Sequence, residues 1–222
     1  ETDYSWRLER SESGDSNITA DLGSHWFDLV QFVTGKKVTE VLGDFATIIP
    51  VRKKPKQQLL AFQRAEGDDT EPFTCELEEY SSVLFRMGQN IPGTFTTSQI
   101  CDGRRSEPKF EIYGSKGSIA WSHKDPTKLW RGYREKANEE LIESPYLLAP
   151  EAARFSTLPA GHPLGYHDAV LNLFKDFYKA INDGEGAANK MNRPTFRTGY
   201  DEMRILDAII ISVRQKRWEK VK

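Results

Sequence analysis

Three polar side chains recur at short intervals in an otherwise apolar stretch, ADLGSHWFDL: Asp21, His25 and Asp28. Spacings of four and three stack side chains on one side of an α-helix, where each residue turns about 100° and climbs about 1.5 Å. A carboxylate one turn from an imidazole favours the protonated ring and fixes its orientation, which suits a general acid or base working near neutral pH. The same spacing serves equally for a helix histidine with a local ion pair. Two ligands four apart can also begin a metal site, but His123, His162 and His167 follow at no ligand-like spacing, so no metal is expected.

Further candidates flank this stretch. Trp6 and Arg7 offer a planar platform and a fork of donors for hydroxyls or phosphate, or simply packing. In LPAGHPLGY, Leu158 to Tyr166, His162 sits in a rigid turn just before a helix, where it either reaches a polar ligand or only connects two elements. GSKGS, Gly114 to Ser118, lacks the P-loop spacing and falls between two strand-like runs, which makes it a hairpin turn.

These residues need elements to hold them. From Ser16 to Thr34, apolar residues at Ile18, Leu22, Trp26, Leu29 and Val33 predict an amphipathic helix, with Gly35 as its C-terminal cap. Gly23 inside that helix costs about 1 kcal/mol against alanine, so something packs or binds closely there. β-Branched and aromatic runs follow from Val38, Phe73, Gly93, Lys109, Ser118 and Lys128, separated by turn residues, and predict a strand meander. The polar interval from Arg52 to Asp69 reads as a loop or exposed insertion. The last third returns to helical spacing, with stripes at Tyr166, Val170, Leu173, Phe174, Phe177 and Ile181, closed by Gly184, and at Met203, Leu206, Ile210 and Val213. The fold class is therefore α+β: an open-faced, mostly antiparallel sheet with helices packed on one face. The other face is an expected oligomer interface if it carries apolar residues; Leu84 and Phe95 can lie on either face.

Length and charge narrow the function classes. A chain of 222 residues carries 31 basic and 33 acidic side chains, net charge −2, with no long run of one sign. Nothing there advertises nucleic acid or an anionic membrane, so the expected partner is a small molecule or another protein. Two cysteines, Cys75 and Cys101, the lack of an apolar run of spanning length and the lack of a signal-like N-terminus predict a cytoplasmic protein. The chain does not begin with Met, so residue 1 is not expected to be a natural start.

Taken together, SWR (Ser5 to Arg7), ADLGSHWFDLVQFVTG (Ala20 to Gly35), TTSQICDGRR (Thr96 to Arg105), FEIYGSKGSIAW (Phe110 to Trp121), LPAGHPLGY and the PTFRTGYDEM helix from Pro194 resemble the C-terminal domain of the glucose-fructose oxidoreductase/inositol dehydrogenase/rhizopine-catabolism (Gfo/Idh/MocA) family. The resemblance implies that residues 1–222 form a substrate-binding and oligomerisation domain, partnered by an N-terminal Rossmann domain of the same protein that holds NAD or NADP. It implies hydride transfer between the nicotinamide and a sugar or polyol, with His25 as acid/base and Asp21 orienting the substrate or the ring. Trp6, Arg7 and His162 are then substrate contacts, and the open sheet face joins a homodimer or homotetramer. Asp28 has no matched catalytic role and reads as a structural or surface carboxylate. Neither a GxGxxG fingerprint nor a Glu-Lys-Pro segment with the family's catalytic lysine occurs here, and both belong to the N-terminal domain, so this chain alone is expected to be inactive. The Gly pair that often precedes the motif helix is replaced by Asp15-Ser16 after Gly14. The alternative is a non-catalytic ligand-binding or oligomerisation module of the same fold.

Overall fold

The computed structural model describes residues 4–57, 70–184, 186 and 193–222. They divide into two compact units, Glu1–Asp102 with Thr195–Lys222, and Gly103–Pro194.

The first unit opens with a 3-10 turn, Trp6–Leu8, and a short α1, Arg10–Ser13. A turn of π-helix, Thr19–Gly23, runs directly into α2, Ser24–Thr34. Strands β1 (Val38–Ala46), β2 (Val51–Pro55), β3 (Thr70–Thr74), β4 (Tyr80–Met87) and β5 (Ile91–Ser98) follow. The closing pieces are α5, Phe196–Gln215, and β10, Glu219–Lys220. One antiparallel sheet has the order β10-β1-β4-β5, and β2 pairs only with β3 in a separate ribbon.

Strand alternation sorts the sheet into two faces. Val41, Val83, Phe85, Met87 and Phe95 are buried against α2 and α5, whose Phe27 and Ile209 are buried with them. Phe27 meets Phe85 edge-on at 5.6 Å and Phe95 at 5.1 Å, and Trp26 lies 5.0 Å from Phe95. Leu84 points the other way and is 46% exposed. The register settles which strand residues share each face: Phe95 pairs with Val83, on the covered side, while Leu84 pairs with Thr94 on the open side.

Several sequence expectations shift by a residue or a strand, each for a local reason. The helix expected from Ser16 carries its buried stripe at Ile18, Gly23, Phe27 and Val30, not at Leu22 and Val33, which are exposed. A π turn bonds five residues back, so it brings Ile18 and Gly23 onto one face and rotates everything after it. Gly23 itself is buried, and a Cβ there would lie 3.3 Å from Thr19 Cγ2 and 3.5 Å from the Phe95 ring. Close packing on the sheet, not room for a ligand, is therefore the reason for a glycine. Gly35 ends α2 in the left-handed region at φ 64°, its N–H donating to the Gln31 carbonyl, as expected.

In α5 the buried residues are Glu202, Ile205, Leu206, Ala208, Ile209 and Ser212, while Met203 is exposed. The stripe moved because two of its members are polar and hydrogen-bonded: Glu202 to Gln31, and Ser212 to the Gly43 N–H at 3.1 Å. The run from Phe73 to Met87 is interrupted, with residues 75–79 forming a loop between β3 and β4. Residues 52–55, the start of the interval read as a loop or exposed insertion, belong to the strand Val51–Pro55; residues 58–69 of that interval lie outside the described residues.

Glu202 has a measurable consequence. Gln31 Nε2 donates to its Oε1 at 2.7 Å, and Gln31 Oε1 accepts the Val38 N–H at 2.9 Å, so one amide joins α2, α5 and β1. Burial, with the neighbouring Asp28 and Asp201 carboxylates, raises the Glu202 pKa from 4.5 to about 7, against the opposing pull of Lys37 and the Gln31 bond. A carboxyl whose folded pKa exceeds its unfolded value stabilises the fold fully below the unfolded value and loses that stabilisation as pH climbs through the folded one. Ionising Glu202 thus costs roughly 3 kcal/mol between about pH 4.5 and 8. Glu202→Gln should raise unfolding free energy at pH 8 by roughly 2–3 kcal/mol and flatten its fall over that window. Urea melts at pH 5 and pH 8 check both effects.

The second unit is an antiparallel meander in the order β6-β7-β8-β9, from β6 (Lys109–Gly114), β7 (Gly117–Ser122), β8 (Lys128–Gly132) and β9 (Glu139–Ile142). Gly114 pairs with Gly117 across a two-residue turn, so GSKGS is the expected hairpin. The sequence reading missed β9. A short α3, Pro150–Ala153, precedes α4, Tyr166–Asp183. The predicted apolar stripe of α4 leaves Tyr166, Leu173, Phe174, Phe177 and Ile181 exposed. Among the described residues no helix is long and apolar enough to cross a membrane.

Candidate functional site

The start of the motif helix is fixed from the sheet. Glu78 is buried at the end of the loop that enters β4, and its carboxylate accepts from Ser16 Oγ at 2.7 Å, from the Asn17 N–H at 3.1 Å and from the Thr19 N–H at 3.0 Å. A helix start leaves four N–H groups without intrahelical partners, and an anion there also meets the positive end of the helix dipole. Asn17 Nδ2 donates to the Glu78 carbonyl and to Gln99 Oε1, both at 3.0 Å. The Asp15-Ser16 pair that replaces glycines thus has work: Ser16 binds Glu78, and Asp15 pairs with Arg10 and with Arg214 at 2.8 Å.

On this seat the π turn presents Asp21, and the first turn of α2 presents His25. Arg7 Nε pairs with Asp21 Oδ2 at 3.2 Å, and the Arg7 guanidinium lies 4.7 Å from the centre of the Trp6 ring. Trp6, Arg7 and Asp21 are therefore assembled, although 14 positions separate Arg7 from Asp21. The Trp6 ring is 53% exposed and His25 is exposed one turn beyond Asp21. With Nε engaged, the four Nη protons of Arg7 remain chemically suited to hydroxyl or other oxygen acceptors. The pairing of Asp21 with Arg7 was not anticipated, because sequence spacing reports neighbours on one helix and not on a separate turn.

His162 belongs to the second unit. Its ring Nδ1 lies 3.1 Å from the Pro159 carbonyl, and its own N–H reaches the same oxygen at 3.2 Å. A carbonyl only accepts, so this bond needs a proton on Nδ1. Asp28, half-buried on α2, acts electrostatically on Glu202. Among the described residues no group of three or more His, Cys, Asp or Glu side chains gathers as metal ligands would. Cys75 and Cys101 are both free.

Residues 1–120 match the family described as GFO/IDH/MocA C-terminal domain. Levoglucosan dehydrogenase of Pseudarthrobacter phenanthrenivorans is 24% identical over 220 residues, covering 98% of this chain and 54% of that protein. A crystal structure of an oxidoreductase domain protein from Kribbella flavida superposes with a TM-score of 0.82 at 26% identity, covering 99% of this chain and 55% of that one. A levoglucosan dehydrogenase structure in complex with NADH and levoglucosan shares the fold, with a TM-score of 0.75 at 23% identity over 98% of this chain and 53% of that one. The chain spans about half the length of such relatives.

Proposed function

Because the chain belongs to the GFO/IDH/MocA family, we propose that it is the substrate-binding half of an NAD- or NADP-dependent oxidoreductase acting on a sugar or polyol. The observation that carries this reading is the assembly of Trp6, Arg7 and Asp21 beside His25 on a helix seated by Glu78. A half-exposed indole stacks on the apolar face of a sugar ring, and a guanidinium with free forks reads its hydroxyls.

His25 accepts the proton of the reacting hydroxyl in the oxidation direction and returns it in reduction. Asp21, paired with the Arg7 guanidinium, accepts a neighbouring hydroxyl, fixing the substrate's orientation. The nicotinamide, when bound, supplies the hydride acceptor or donor. GSKGS does not fit it, because it joins two paired strands instead of leading from a strand into a helix and so makes no dinucleotide cradle. The cofactor site is assigned to an N-terminal Rossmann domain of the same polypeptide, a reading supported by the length of the relatives.

The open sheet face, with Leu84 half-exposed beside Thr94 and Thr96, is assigned to a homodimer or homotetramer. Two free cysteines fit a reducing cytoplasm. The polypeptide that includes the preceding domain should reduce NAD or NADP in the presence of sugars or polyols, and the 222-residue chain alone should not. A longer polypeptide that binds neither dinucleotide would point instead to a non-catalytic ligand-binding module.

A further inference from the structure

The ribbon of β2 and β3 is separate from the main sheet, and most of β2 falls in the interval whose sequence reads as a loop or exposed insertion. Lys54 in it makes two contacts with the first residues of the chain and a third within the ribbon. Its Nζ lies 2.6 Å from Glu9 Oε1, 5.2 Å from the centre of the Tyr4 ring and 5.6 Å from that of Phe73 on β3. Tyr4 packs edge-on against Phe73 at 5.3 Å, and its hydroxyl donates to the same Glu9 oxygen.

Tyr4 and Glu9 bracket Trp6 and Arg7. Between them the chain makes a 3-10 turn in which Ser5 Oγ accepts from the Arg7 N–H at 3.3 Å, Leu8 is buried, and the Leu8 and Glu9 N–H groups donate to Ser5 and Trp6 carbonyls at 3.0 and 2.9 Å. A turn this short has little cooperativity of its own, so its position depends on what grips its two ends.

We propose that Lys54 is a positioning residue for the substrate contacts: through Tyr4 and Glu9 the ribbon clamps both ends of the Trp6–Arg7 turn and sets where the indole and guanidinium stand against Asp21. This inference rests on the reading of Trp6 and Arg7 as sugar contacts. A merely local ion pair would contribute little to stability and nothing to substrate recognition.

The test compares Lys54→Met, Lys54→Arg and Arg7→Ala in the polypeptide that carries its dinucleotide domain, with the preferred sugar or polyol as probe. Lys54→Met should raise KM about tenfold with kcat within about twofold, the signature of lost ground-state positioning. Lys54→Arg, which keeps the cation, should recover most of that loss. In the 222-residue chain, hydrogen exchange at the Leu8 and Glu9 amides should quicken roughly tenfold in Lys54→Met while the β1 and β4 amides keep their protection. A raised KM in Arg7→Ala with an unchanged KM in Lys54→Met overturns the clamp and leaves the sugar-contact reading standing. Unchanged KM in both removes the two together. A fall in kcat with loss of protection throughout the sheet would make Lys54 structural only and also overturns the proposal.

Discussion

On the proposed reading, replacing His25 with asparagine in the polypeptide that carries its dinucleotide domain should lower kcat and kcat/KM for a sugar or polyol together by about 10²- to 10⁴-fold, the usual contribution of a positioned proton acceptor. Asparagine keeps a hydrogen-bonding side chain of similar reach, so KM should change little. His25 is exposed on α2 and contributes nothing to the buried stripe of Phe27, Val30 and Gln31, so stability should not move. Steady-state kinetics provide the measurement; retained turnover would take His25 out of the mechanism.

The second large effect is on the fold. Glu79 is fully buried, pairs with the guanidinium of Arg52 and accepts the Ile48 and Ile49 N–H groups at 3.0 and 2.7 Å. Glu79→Ala leaves a buried cation without its carboxylate and two backbone donors without acceptors, and should lower unfolding free energy by about 3–5 kcal/mol. Combining Glu79→Leu with Arg52→Met removes both charges and should recover part of the loss, since paired burial gains little over an apolar replacement. The two backbone donors keep the recovery incomplete. Urea denaturation of the single and double variants measures both quantities, and a loss under about 1 kcal/mol for Glu79→Ala would contradict the buried-pair account.

Glu78 and Glu79 also show where sequence reading stops. The elements of the fold were legible because burial on a sheet face or helix stripe leaves a period in the apolar residues. Phe85 and Phe95 obey that rule on the sheet, whereas the buried Phe27 and Ile209 fall beside the stripes that the sequence predicts for α2 and α5. Adjacent acidic residues leave no such trace, yet these two point to opposite tasks, one seating the motif helix and one tying β2 to the loop after β1. The stripe on α5 was misplaced because Glu202 and Ser212 belong to it, and hydropathy does not count polar groups that have found partners. At the candidate site, Asp21 and His25 were legible from their spacing and gained weight from the family resemblance. The pairing of Arg7 with Asp21 depends on how a turn folds back on a helix, which no local pattern encodes. Lys54 was hidden in an interval whose charge suggested solvent.

The π turn at Thr19–Gly23 makes the site sensitive to residue count as well as residue type. A π turn holds more residues than an α turn, so deleting one residue there lets the segment relax into regular α-helix without breaking it. Ile18 and Gly23 would then stand four residues apart, still on one face, so the segment before the turn would keep its phase relative to α2. A deletion at Leu22 would nevertheless cut the spacing of Asp21 from His25 from four residues to three, with both side chains still present. The geometry of the candidate site is in this sense a matter of spacing: the turn acts as a one-residue spacer, and length variation within it should be far less tolerated than substitution on its exposed side.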